Sequence, residues 1–453
     1  MVETATALRV ATCPADKGRL RCSGVIRDTD LTSSMVEVLH SYARRFNVSG
    51  LRWIPDVTAI WSPVRTEGRP YYYLALLLIS NVCAGASWGI ITPTIIANCL
   101  ARGSSTLVIG ILTSIWALPF LLAAPIYTRI VGRVSAKPAL LVGMSADVVC
   151  VWLFPLVPYD WAWIILQIVS GATLGHFSLI TEAWLNLFSG ERSRGRVTSL
   201  YGILPAFGYA LGAGIYALVG YQGYAPYLAA STAMAIGILP ILLIPKEAAD
   251  IVLGGEERLR HALKRAPLLL TVALLAGVLE MVPWSLMQVY AIDNKWSIRA
   301  SAFVLPVFYW GQVLLTYPIG WIADRRPRRN VLLGTSAGAL LCMAFMALLA
   351  RSPALWVIVF LSGGIATATY TLGLAILGQR FDAGTLVSAN AAFIAFYGIG
   401  TILGPPAVGE LMDRFGPNAL PAALACVSAC IFLCASAARL EWQRCETAPA
   451  ENV

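Results

Sequence analysis

Charged residues are scarce in this sequence: 13% of its 453 residues are Asp, Glu, Lys or Arg, only three are His, and 58% are hydrophobic. With a mean hydropathy of +0.71, too little polar surface remains to clothe the two or three water-soluble domains that the length would otherwise allow. Lipid must be the solvent for most of the chain. No P-loop of the form G-x-x-x-x-G-K-[ST] occurs, and no polar segment is long enough to fold as an ATPase, so nothing supports a nucleotide-driven pump. His40, His176 and His261 are dispersed, which leaves no cluster of ligands or acid-base groups for a membrane-embedded enzyme. There is no C-x-x-C. The ten cysteines stand singly in apolar segments or tails, without histidine at ligand spacing. Cys426, Cys430 and Cys434 share a helical face but read as small packing residues, so no metal and no cofactor are expected.

The formal net charge is +9, yet the basic residues lie between apolar runs, where they act as topology signals and imply no nucleic-acid partner. A membrane-crossing helix needs roughly 20 apolar residues. From Tyr72 onward twelve such runs follow: Tyr72 to Cys99, Leu107 to Ala124, Pro138 to Val157, Trp161 to Phe188, Leu200 to Val219, Ala225 to Ile244, Pro267 to Ile292, Ala302 to Ile322, Val331 to Leu349, Ala354 to Leu377, Ala389 to Val408 and Ala419 to Ala438. Taken alternately, one set of breaks holds Arg129, Arg133, Lys137, Arg192, Arg194, Arg196, Lys246, Arg258, Arg260, Lys264, Arg265, Arg325, Arg326, Arg328, Arg329 and Arg380. The other holds only Arg102, Lys295, Arg299, Arg351 and Arg414. The excess places the first set and both termini in the cytoplasm of a multi-pass protein of the cytoplasmic membrane.

The fold class expected is therefore all-α, with twelve transmembrane helices in two six-helix bundles. Residues 1–70 form a polar cytoplasmic extension, 71–244 the first bundle, 245–266 a cytoplasmic linker, 267–438 the second bundle and 439–453 a cytoplasmic tail. Within the extension, Ser34 and Glu37 make a capping box ahead of an apolar face of Met35, Val38, Leu39, Tyr42 and Phe46. Two readings stay open there: a helix on the membrane surface, or a translation start assigned too early.

The two bundles repeat each other. Ala86-Ser87-Trp88 answers Val282-Pro283-Trp284, the Gly143 segment answers the Gly334 segment, Ser170-Gly171 answers Ser362-Gly363, and Gly208 and Gly212 answer Gly400 and Gly404. Matches in chain order at a near-constant offset point to a duplicated six-span unit, the architecture of a transporter with its site between repeats.

The segment Gly320-Trp-Ile-Ala-Asp324-Arg325-Arg326-Pro327-Arg328-Arg329 resembles the loop signature G-x-x-x-D-R-x-G-R-R of the major facilitator superfamily. Its first-half counterpart runs from Pro125 to Arg133 and has Arg129 where the signature has aspartate. With the span count and the repeat, the resemblance covers roughly Tyr72 to Leu440. Ser193-Arg-Gly-Arg196 after Glu182, and Gly404-Pro405 in span eleven, are most similar to bacterial members of unassigned substrate. The resemblance implies a cytoplasmic gate in which Asp324, with Arg325 and Arg328 nearby, latches the positive end of span five. It also implies a partnership of Arg133 with Glu182. The inverted Arg129 either pairs with Asp382, before span eleven, or reaches lipid headgroups.

Ionisable groups inside the hydrocarbon are costly and call for a partner or a cavity. Glu280 lies about 13 residues into span seven, roughly 20 Å along the helix and close to the midplane. Trp284 and Gln288 share its face at i+4 and i+8, presenting carboxylate, aromatic plate and amide to a solute. Such a carboxylate carries a proton or attracts a cationic cargo. Asn81, Trp88, Gln167, Tyr309, Gln312, Thr367, Tyr370 and Thr371 are candidates to line the same path, with anchoring or packing the alternative for the aromatics. At the Gln167 position the resemblance implies arginine, whose loss weakens a claim of proton coupling. Asp147 and His176 fall at similar depth on antiparallel neighbours and are expected to pair. Together these residues imply a monomeric secondary transporter in membrane lipid that moves a small solute by alternating access, with a co-transported proton. Export of amphipathic or cationic compounds competes with import of a small polar nutrient.

Overall fold

The structure, a computed structural model, describes residues 70–119, 121, 136–188, 194–245, 266–381 and 383–446. The polar extension apart from its last residue, most of the linker, the end of the tail, and Arg129, Arg133 and Asp382 lie outside the described residues. Among the described residues, twelve helices of nine or more residues follow one another. They are α1 (Pro70–Ala101), α2 (Thr106–Ser114), α3 (Ala136–Leu153), α4 (Asp160–Phe188), α5 (Arg194–Val219), α6 (Ala225–Leu243), α7 (Pro267–Asp293), α8 (Val304–Arg325), α9 (Arg328–Leu348), α10 (Leu355–Arg380), α11 (Ala383–Phe415) and α12 (Ala419–Glu446). A single helical turn, Ile298–Ser301, precedes α8.

Among the described residues, nine stretches are long and apolar enough to cross a membrane, and Thr106–Pro119 and Ile203–Val219 are shorter apolar helices. α8 has the length without that apolarity, because it carries Gln312, Thr316, Asp324 and Arg325. The outer helices expose Val142, Val149, Leu239, Leu348 and Leu433, an arrangement that suits a lipid solvent and no other.

In lipid no hydrophobic force separates one apolar helix from another, so close backbone approach decides which helices pair. Glycine provides it here. α1 crosses α5 where a Cβ on Gly85 would stand 2.7 Å from the Pro205 carbonyl oxygen, and one on Gly208 would stand 2.5 Å from that of Val82. The second half repeats this crossing: Gly277 of α7 lies against the Tyr397 carbonyl, and Gly400 of α11 against that of Leu274. Likewise Gly171 of α4 lies on the Trp116 carbonyl, and Gly363 of α10 on that of Phe308. Two of the sequence matches that announced the duplication, Gly171 with Gly363 and Gly208 with Gly400, are thus points where backbones touch, whereas a Cβ on Gly334 would meet nothing within 4 Å among the described residues. Between the halves, α2 packs on α11, α5 on α8, and α7 reaches both α1 and α2.

Arginines fasten the second half at its arginine-rich end. Arg328 donates through Nη1 to the Ala375 carbonyl at 2.8 Å, and Arg329 donates to the carbonyls of Ala435 (2.8 Å) and Ser436 (3.1 Å). Arg325 folds back over the Trp321 ring at 3.5 Å.

Candidate functional site

Glu280 is the fourteenth of the 27 residues of α7, the middle of the helix. Three other helices supply hydrogen bonds to it. Gln312 of α8 donates through Nε2 to Oε1 at 3.1 Å, Thr367 of α10 through its hydroxyl to the same oxygen at 3.3 Å, and Tyr397 of α11 through Oη to Oε2 at 2.9 Å. Gly277, almost one turn before Glu280, lets the Tyr397 backbone approach closely enough for that last bond. All three donors are neutral. The two ion pairs among the described residues, Arg102 with Asp160 and Arg414 with Glu410, involve other carboxylates.

Above this carboxylate an aromatic cluster crosses from one half to the other. Trp284 packs on Trp116 at 5.8 Å between ring centroids, on Tyr209 at 5.2 Å and on Tyr309 at 6.1 Å. Tyr209 stacks on Tyr309 at 5.5 Å, and Trp88 extends the cluster through Trp116 at 5.6 Å. On the other side of Glu280, Tyr370 packs on Tyr397 at 4.6 Å. Trp284 Nε1 and Tyr309 Oη are buried and have no hydrogen-bond partner among the described residues. Buried donors are almost always satisfied in a folded chain; Ser87 Oγ and Ser285 Oγ are likewise buried without a partner among the described residues.

The expected path residues divide into two groups. Glu280, Trp284, Tyr309, Gln312, Thr367 and Tyr370 converge, with Trp88 attached through Trp116. Four others spend their donors elsewhere: Asn81 on the Leu77 carbonyl of its own helix, Thr371 on that of Ala368, Gln167 on the Leu112 carbonyl of α2, and Gln288 on the Tyr216 hydroxyl of α5. Helical phase alone could not separate the groups, because a face shared by two residues does not say which helix lies opposite.

Three members were missed by sequence reasoning. Tyr209, Tyr397 and Trp116 carry no charge to single them out, but Tyr209 follows Gly208 and Tyr397 precedes Gly400 by three positions. A reading of those matched glycines as crossing points would have brought both tyrosines toward the centre.

Asp147 is buried on α3 and accepts from the Thr173 hydroxyl at 3.4 Å, about one turn before His176 on α4. His176 lies beside Gly143, whose added Cβ would stand 3.4 Å from imidazole Cδ2, and it hydrogen-bonds to the Ala139 backbone. The expected pair of Asp147 with His176 is therefore not formed: the carboxylate turns to Thr173 on the facing turn of α4 instead. Glu182 is exposed, and its neighbour Thr181 shares a hydrogen bond of 3.0 Å with the Tyr201 hydroxyl. Its expected partner Arg133, like the pair Arg129 and Asp382, lies outside the described residues. Asp324 is exposed at the end of α8.

A family model described as Major Facilitator Superfamily matches residues 77–304 and 269–448. The chain belongs to the major facilitator superfamily. Within it, the chain is 27% identical over 359 residues to the uncharacterized transporter YfkF of Bacillus subtilis, covering 77% of this chain and 90% of that one. It is 25% identical over 273 residues to the uncharacterized transporter YcaD of Escherichia coli, covering 59% and 70%. Among solved structures, the nucleoside transporter NupG superposes with a TM-score of 0.69 at 15% identity, over 81% of this chain and 98% of that one. A POT family transporter solved with a thioalcohol-conjugated peptide gives 0.67 at 12% identity, over 81% and 96%. This superfamily member is thus a multi-pass membrane transporter, and likeness at such low identity to NupG and the POT protein speaks of fold alone.

Proposed function

We propose that this superfamily member is a secondary transporter, not an enzyme, whose two halves rock about a site at Glu280 and carry a small cationic or amphipathic solute, most simply outward. The observation that supports this reading is the carboxylate itself: a charge-bearing group at the middle of α7, held by three neutral donors and faced by aromatic rings from both halves. Rings and a carboxylate together suit a cation, through charge and cation-π attraction. When no cation is present, a proton fills the same role, so proton and solute would exchange at Glu280.

Import of a small polar nutrient is the second reading. The unpaired donors Trp284 Nε1 and Tyr309 Oη favour it, because they suit a solute that offers acceptors. The name of NupG gives one class of such a solute, at fold level only.

The rest of the reading is a monomer in the cytoplasmic membrane with both termini and the arginine-rich loops inside. There Asp324, Arg325, Arg328, Glu182, Arg129, Arg133 and Asp382 act as the cytoplasmic gate. A thermal-shift screen of the purified protein against solute libraries at two pH values, repeated with Glu280→Gln, tests the site. Cationic hits that vanish in the variant support it. Hits of unchanged size in the variant would remove Glu280 from the solute path.

A further inference from the structure

The loop signature occurs a further time, at the other face of the membrane. Gly409-Glu-Leu-Met-Asp413-Arg414-Phe-Gly416 closes α11 with the same G-x-x-x-D-R spacing that Gly320 to Arg325 shows at the end of α8. Helix order puts the end of α8 and the end of α11 on opposite faces, so this copy lies with the loop between α1 and α2, away from the arginine-rich loops. We propose that Asp413 is a positioning residue for transport: its carboxylate latches the first turn of α2 and holds that opposite face shut.

Local chemistry carries the inference. A helix begins with amides that no turn of its own satisfies. At the start of α2, the Ser105 side chain accepts from the Val108 amide. The amides of Thr106 and Leu107 are satisfied from the other half of the protein: Thr106 N–H donates to Asp413 Oδ1 and Leu107 N–H to Oδ2, both at 2.9 Å. The carboxylate thus spends both oxygens on the positive end of the α2 dipole.

The spacing explains the reach. Gly409 lies one turn before Asp413 on the same face, and a Cβ there would stand 2.5 Å from the Thr106 carbonyl oxygen. Gly110 meets the Pro405 carbonyl at the same distance one turn further in. Neighbouring charges leave the carboxylate to this task, because Arg414 donates through Nε to Glu410 at 2.6 Å. The partner turn is also braced. Arg102 pairs with Asp160 at 3.0 Å, and Ser104 donates to Asp160 at 2.9 Å, which fixes the loop ahead of α2 onto α4.

The copy at the arginine-rich face is in the opposite condition. A Cβ on Gly320 would meet nothing within 4 Å among the described residues, Asp324 is exposed, and Arg325 lies over Trp321. Among the described residues, the copy on α11 is seated and the copy on α8 is not, within a single conformation. Two latches that cannot both be seated would make opening at one face conditional on closure at the other.

The test uses the full chain in liposomes, with spin labels at Ala101 and Phe415 in a background whose native cysteines are replaced. Both positions are exposed, one in each half, on the latched face. Double electron-electron resonance then reads the closed and open populations. Asp413→Asn keeps the shape and loses the charge, and should raise the open-to-closed ratio by about threefold, as expected for loss of an exposed carboxylate at a helix start. Thr106→Pro removes the Thr106 amide donor, and the Thr106 hydroxyl with it, while Asp413 itself and the Leu107 amide stay in place. Proline is at home in the first helical position, and Ser105 before it already has the extended backbone (φ −66°, ψ 157°) that proline demands.

The double variant should open little further than Asp413→Asn alone, because the donor that Thr106→Pro deletes serves the same carboxylate. Unchanged distances in both single variants, in protein that stays monodisperse, overturn the latch, and so does a double variant whose effects add in full. The proposal rests on alternating access at Glu280, but the two fail separately: a solute screen that excludes Glu280 leaves these distances untouched.

Discussion

Tyr397 touches α7 twice, its backbone carbonyl resting against Gly277 and its hydroxyl donating to Glu280 Oε2 at 2.9 Å. The same crossing that packs α11 on α7 therefore delivers a hydrogen bond to the central carboxylate. Packing and chemistry are coupled here through one residue.

Tyr397→Phe keeps the ring against Tyr370 and deletes the donor. Loss of a hydrogen bond to a protonated carboxyl costs about 0.5–1.5 kcal/mol, and to a charged carboxylate about 1.5–3 kcal/mol. The melting midpoint should fall, and the response to cationic solutes should change with it. A variant that melts and binds like the parent would show that Oη does not hold Glu280.

Trp284→Phe and Tyr309→Phe remove donors that have no partner among the described residues. Tyr309→Phe should not lower the melting midpoint appreciably, since no bond within the chain is lost and relief of an unsatisfied donor can stabilise by about 1 kcal/mol. Trp284→Phe also gives up ring contacts in the aromatic cluster and should lower it by about 1 kcal/mol or more. Affinity separates the two functional readings. A polar solute that accepts from these groups should bind about tenfold more weakly to each variant, at roughly 1.4 kcal/mol per decade. A lipophilic cation, held by the rings and Glu280, should scarcely notice Tyr309→Phe.

Gly277→Val should abolish monodisperse protein on size-exclusion chromatography, because its Cβ would drive into the Tyr397 carbonyl and separate α7 from α11. Gly277→Ala should show the same defect in milder form. Gly214→Val is the control, since a Cβ there meets nothing within 4 Å. Equal behaviour of the two valine variants would refute the crossing-point account.

Arg329→Ala removes the donors to the Ala435 and Ser436 carbonyls, and so the tie from α9 to α12. About 1.5–3 kcal/mol should be lost, read as a lower melting midpoint. Arg329→Lys should recover only part of it, because one ammonium cannot reproduce the planar fork that serves two carbonyls.

How far each of these was visible in advance differs by residue. Glu280 was legible because a carboxylate in an apolar run violates the solvent preference of everything around it. Gln312 and Thr367 were legible as polar residues on neighbouring faces, while Asn81, Gln167, Gln288 and Thr371 had the same appearance and turned to backbone or to other helices. Tyr397 and Tyr209 were hidden, since an aromatic ring in a membrane span has many ordinary uses. Asp413 was written in the same motif as Asp324, but its partner is a pair of backbone amides 306 and 307 residues away in the chain, and no side-chain pattern announces such a partner.

The sequence by itself determined the solvent, the helix count and the duplication, because hydropathy and recurring glycines act over stretches of chain and survive without knowledge of neighbours. Only the tertiary structure decided which polar groups meet, because four helices converge on Glu280 at positions set by where backbones can touch. It also decided which signature is engaged, since a carboxylate and a helix start become a latch only when the two halves bring them within hydrogen-bonding reach.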